Sequence, residues 1–145
     1  MNRRLTALAI ALAVLAVLLS GCVTLPRYEW YPSGRAPSDY YRWTVIDRAS
    51  FPLVCGFIPP DGFNGGGACA IQLNQGIVQP GDKTLNGQSE YSGPRFEGKL
   101  CVIFGTMSES DAGRMSAMDR DGSLRSHELR HCYGFLHNWI NGRVG

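Results

Sequence analysis

The chain has little excess of either charge, since 14 lysines and arginines stand against 12 aspartates and glutamates, a formal net charge of +2. It also has no basic cluster, so the electrostatic footprint of a nucleic-acid binder is missing. No C-x-x-C pair occurs among its five cysteines, which argues against a cysteine-rich zinc knuckle. The glycine-rich stretch 61–67 lacks the following Gly-Lys-Ser/Thr of a phosphate-binding loop and reads as a turn. There is no internal repeat and no low-complexity tract. Histidine is scarce, at three residues. What is present is an apolar fraction of 44% in 145 residues. That excludes an intrinsically disordered chain and suits one domain.

The first 21 residues differ from the rest. Arg3 and Arg4 form a short positive region ahead of an almost unbroken Ala, Leu, Val and Ile run from Leu5 to Leu19. Its length is short for a transmembrane helix and right for a secretory signal. Leu19-Ser20-Gly21-Cys22 follows. This resembles the lipobox of bacterial lipoproteins, which implies acylation of Cys22, cleavage before it and a stable membrane anchor through its lipid. Val23 in place of Asp implies, by the same resemblance, the periplasmic face of the outer membrane in a Gram-negative host. The expected organisation is a signal peptide over 1–21, a lipidated tether rich in proline and aromatics over 22–41, and a folded domain over 42–145. Removing residues 1–21 takes away Arg3 and Arg4 and leaves 12 charges of each sign.

Four cysteines then remain besides Cys22: Cys55, Cys69, Cys101 and Cys132. An even number in an oxidising compartment suggests two disulfides, with three possible connectivities. Sequence proximity favours Cys55–Cys69 and Cys101–Cys132. The alternatives are buried thiols or a metal-bound thiolate.

The tether carries Tyr28, Trp30, Tyr31, Tyr40 and Tyr41. Aromatic rings supply much of a small core, so this segment is expected to wrap the domain and bury some of them. Residues 43–46 read as a strand, Leu53 to Ile58 as a second, and 68–73 with 76–79 as a hairpin around Asn74-Gln75. Leu100 to Phe104 is the clearest buried strand. Ser108 can cap a helix over 109–118, with Glu109 and Asp111 in its favourable first turn. Asp121 or Ser123 can cap a second helix, from about Leu124 to Tyr133, that ends at Gly134.

All three histidines fall in this second helix and its exit. The sequence reads His127-Glu128-Leu129-Arg130-His131, then Gly134, then His137. Histidines at i and i+4 share one helix face, so both imidazoles can reach one ion. Gly134 can take the left-handed conformation that turns the chain back, and His137 can then supply a third nitrogen. Three nitrogens plus a water make an open tetrahedral zinc site. A calcium loop built on Asp119, Asp121, Gly122 and Glu128 would need an acid where Ala117 stands.

The pattern H-E-x-x-H-x-x-G-x-x-H resembles the zinc-binding signature of the metzincin metallopeptidases. That resemblance implies one zinc ion held by His127, His131 and His137, with Glu128 as general base. It further implies a peptide or protein substrate, aligned along the strand before the active helix, for which Leu100 to Phe104 is the candidate. Metzincins also carry a methionine turn after the third histidine. Here Met107, Met115 and Met118 all lie upstream, and none of the eight residues after His137 is Met. No Asp or Glu follows Glu128 either, so the glutamate-ligand zincins fit less well. The expectation is an α+β, minimal zincin-like domain: a small β-sheet with a C-terminal active-site helix. Its expected activity is that of an envelope-anchored zinc peptidase. The alternatives are a non-catalytic envelope lipoprotein with a structural zinc, or a cell-wall peptide amidase. A second donor for a developing oxyanion is not identifiable; Tyr133 and Arg130 are candidates, although a helical residue off the metal face is more often structural.

Overall fold

The computed structural model describes residues 28–58, 66–86, 89–117 and 122–139. The signal segment, Cys22, most of the glycine-rich stretch and the acids Asp119 and Asp121 lie outside the described residues. Within them the domain is mixed α+β, with two sheets. Strands β1 (Tyr28–Pro32) and β6 (Phe135–Trp139) form an antiparallel pair. The other sheet has the order β3-β5-β2-β4, from β2 (Tyr40–Val45), β3 (Ala68–Val78), β4 (Lys83–Thr84) and β5 (Phe96–Gly105). The helices are α1 (Phe51–Cys55), α2 (Glu109–Arg114) and α3 (Leu124–Cys132). None of the described helices is long and apolar enough to cross a membrane.

Residues 100–104 of β5 read as a continuous apolar run, and the strand lies inside the sheet, between antiparallel β3 and parallel β2. Leu100, Cys101 and Ile103 are fully buried. This interior position corrects one expectation. A strand paired on both edges has no free backbone groups to offer an incoming peptide, so Leu100 to Phe104 cannot align a substrate. The strand at the sheet edge on that side is β3.

β3 also corrects the expected hairpin. Residues 68–78 form one strand against β5, with Leu73 opposite Leu100 and Gly76 opposite Gly98. Three steps along β3 match two along β5, so Asn74-Gln75 holds a β-bulge. A two-residue hairpin turn favours glycine at its tight positions, and Asn-Gln supplies none.

Residues 53–58 are not a strand. Pro52 occupies the first turn of α1, where its missing N–H costs nothing and its fixed φ suits a helix. Gly56 ends the helix at φ 77°, and its N–H donates to the Pro52 carbonyl at 3.0 Å. α2 is likewise shorter than expected. Ser108 caps it by accepting from Asp111 N at 3.2 Å. At Met115 the chain turns extended, and the Met115 carbonyl accepts from Leu124 N at 2.8 Å. A bridge between Ser116 and Ser123 then leads directly into α3.

α3 lies across the four-stranded sheet. Leu124 and Leu129 pack on a buried cluster of Tyr41, Ala68, Leu85, Cys101, Ile103 and Cys132. The disulfides join Cys55 to Cys69 and Cys101 to Cys132. The second ties the middle of β5 to the last residue of α3. The aromatic stretch before residue 42 belongs to the fold: Tyr41 is fully buried, and Tyr40 packs on Tyr91 and Phe96.

Candidate metal centre

α3 starts at a capping box. The Ser123 side chain accepts from Ser126 N at 3.1 Å, and the Ser126 hydroxyl accepts from Ser123 N at 2.9 Å. Nine residues later the helix stops. Tyr133 remains helical, and Gly134 switches to φ 90°. A Cβ at Gly134 would stand 2.5 Å from the Arg35 carbonyl oxygen. Only glycine therefore fits both the turn and its close neighbour. The chain reverses there into β6, which brings His137 back beside the helix.

The three histidines converge. Their ring centroids lie 5.3 Å (His127–His131), 4.9 Å (His127–His137) and 4.9 Å (His131–His137) apart. One nitrogen from each falls within 4.8 Å of the others. The Nε2 atoms of His127 and His137 are 3.1 Å apart. Zinc at about 2.0–2.1 Å from tetrahedral imidazole nitrogens holds them roughly 3.3 Å from one another, so this spacing fits the ion. In the metal-free protein, one neutral imidazole can donate to the other across the same gap.

His131 has its tautomer set by its neighbour. Its Nδ1 lies 2.9 Å from the Phe135 carbonyl, which can only accept. Nδ1 thus carries the proton, and Nε2 keeps a lone pair for metal. Burial also lowers the His131 pKa, which favours the neutral, ligating form.

Glu128 is 3% exposed, and its Oε2 has no hydrogen-bond partner among the described residues. Burial pushes its pKa up to about 8, so in the metal-free protein the acid form is favoured at neutral pH. A dication nearby would reverse that preference. A buried carboxyl without a partner is costly for stability alone, which suits a group kept for chemistry.

A polar network holds the start of α3. Glu109 accepts from Tyr41 Oη at 2.7 Å, Arg125 Nε at 2.7 Å and Lys83 Nζ at 2.6 Å. Arg125 also donates to Tyr41 Oη at 2.8 Å. Burial first, then the Glu109 contact, pushes the Tyr41 pKa up to about 12. Desolvation pulls Glu109 upward, but its bonds from Lys83, Tyr41 and Arg125 outweigh this and hold its pKa below the usual range. The sequence marked Glu109 only as a favourable first-turn acid; its link to Arg125, two residues before His127, depends on tertiary contacts.

Neither donor suggested for an oxyanion is held ready for that task. The Tyr133 hydroxyl donates to the Leu85 carbonyl at 2.7 Å. The Arg130 guanidinium lies over the Trp30 ring at 5.0 Å. Trp30 itself, a tether residue in the sequence reading, sits directly on the histidine cluster.

No family of known proteins, no curated protein and no solved structure matches this chain.

Proposed function

We propose that this chain is a zinc-dependent metallopeptidase of the bacterial envelope, anchored through lipid on Cys22. The observation that carries the reading is the convergence of His127, His131 and His137, with His131 locked in a ligating tautomer and Glu128 buried beside the first ligand. One zinc ion would be held by the three imidazoles. When bound, zinc supplies Lewis acidity that acidifies water and polarises a carbonyl. Glu128 takes the proton from the attacking water and passes it to the leaving amine. Its burial keeps bulk water from competing for that proton. An extended peptide would add to the outer edge of β3, which has no strand partner there among the described residues; β3 lies against α3, and its Gln72 donates to the Cys132 carbonyl at 2.7 Å. Lipidation would keep the site at the periplasmic face of the outer membrane in a Gram-negative host.

The test uses the full chain purified in detergent. Glu128→Gln should keep its zinc and lose peptide hydrolysis by at least 100-fold, in the range of a lost acid–base group. Unchanged hydrolysis in that variant would sink the mechanism. A structural zinc is the second reading, favoured by the way His137 ties β6 to α3. It expects zinc removal to unfold the domain and no peptide to be cleaved. Peptidoglycan hydrolysis without casein hydrolysis would instead identify a cell-wall amidase.

A further inference from the structure

The Trp30 ring centroid lies 4.9 Å from His127, 5.2 Å from His131 and 4.8 Å from His137. Together with the separations among the histidines, these distances place four rings at the corners of a nearly regular tetrahedron. One aromatic ring thus touches every ligand of the metal centre. Its position has two independent supports. Across the β1–β6 ladder, Trp30 stands directly opposite His137. From α3, Arg130 lays its guanidinium on the indole at 5.0 Å, and Arg130 immediately precedes the ligand His131.

β1 is bound to the segments that build the centre. Among the described residues its one strand partner is β6, and a two-stranded ribbon is marginal by itself. Just after β1, Ser33 N donates to the Gly134 carbonyl at 2.8 Å and Ser38 N to the Cys132 carbonyl at 3.0 Å. The strand is fastened to the helix exit and to the strand that carries the third ligand. Nothing in the motif H-E-x-x-H-x-x-G-x-x-H calls for a tryptophan about a hundred positions upstream.

We propose that Trp30 is a positioning residue of the metal centre, packing against all three imidazoles so that their nitrogens stay converged for one zinc ion. This rests on the metal reading above. Each histidine must otherwise give up rotamer freedom when the ion binds, and a ring in contact with all three has already removed much of it. Truncation of Trp30 would also leave a void into which the imidazoles can spread. Groups that orient metal ligands typically change metal affinity by about 10–100-fold when lost.

The experiment compares the full chain with Trp30→Ala and Trp30→Phe, all in detergent, by Zn2+ titration against a chelator of known affinity. Trp30→Ala should bind zinc about 10–100-fold more weakly at unchanged stoichiometry, and Trp30→Phe should recover most of that loss. Denaturation of the metal-free proteins runs beside it. A merely structural Trp30 would shift the unfolding midpoint and leave zinc affinity in the folded protein alone. Zinc affinities within twofold for wild type and Trp30→Ala overturn the proposal. Wild-type protein that binds no zinc overturns the metal reading itself, which is a different result.

Should Trp30→Ala fail to fold, Trp30→Leu takes its place in the same zinc titration. Zinc bound about 10-fold more weakly by Trp30→Leu than by Trp30→Phe supports the proposal, because the flat ring and not mere bulk then holds the imidazoles. Equal affinities for wild type, Trp30→Phe and Trp30→Leu overturn it.

Discussion

Glu109→Gln tests whether the polar network at the start of α3 holds the domain together. The wild-type carboxylate receives three hydrogen bonds, from Tyr41, Arg125 and Lys83. Bonds to a charged group contribute about 1.5–3 kcal/mol each at best. Lys83 and Arg125 are 39% and 36% exposed, so solvent screens both ion pairs and the sum must be cut heavily. Glutamine keeps one acceptor oxygen but turns an amide towards a cation. The net expectation is a loss of about 1–3 kcal/mol, read as a fall of roughly 1 M in the urea midpoint. Because the folded-state pKa of Glu109 is depressed, its contribution is fully present above the ordinary carboxylate pKa of roughly 4.3. It is lost as pH falls through the folded value. Glutamine does not titrate, so the gap between wild type and variant should be widest at neutral pH and close in acid. A gap below about 0.5 kcal/mol at neutral pH, or one of equal size in strong acid, would refute the reasoning.

Two further substitutions test the architecture around the centre. Gly134→Ala places a methyl 2.5 Å from the Arg35 carbonyl oxygen on a backbone at φ 90°. It should cost about 2 kcal/mol or more and weaken zinc binding, because the same turn presents His137; thermal unfolding and zinc titration check both effects. Cys101→Ser with Cys132→Ser removes a link across 31 residues, for which chain entropy alone gives a loss of about 3–4 kcal/mol. Denaturation of wild type with and without reductant, beside the double variant, measures it.

The parts legible in the sequence were those fixed by local chemistry. Ser108 and Ser123 announced their caps because a hydroxyl before a helix satisfies an orphan N–H. Gly134 announced the turn because few other residues take its φ. The apolar run around Cys101 gave the central strand, and proximity gave both disulfides. The elements that escaped depend on distant partners. Pro52 and Gly56 do signal a short helix, but the apolar run between and beyond them also reads as a strand. Asn74-Gln75 resembles a turn until β5 lies alongside both halves of β3. β1 and β6 come from opposite ends of the chain, and neither pattern reveals the other. The aromatic segment was therefore expected to bury some of its rings, with no indication that Trp30 would meet His127, His131 and His137.

The most direct measurement of the central claim is the zinc content of the full chain after dialysis against metal-free buffer, set beside that of His137→Ala. About one zinc per chain is expected in wild type and none retained by the variant, whose site keeps only two of its three imidazoles. A wild-type protein without zinc, or a His137→Ala protein that holds as much as wild type, would contradict the claim.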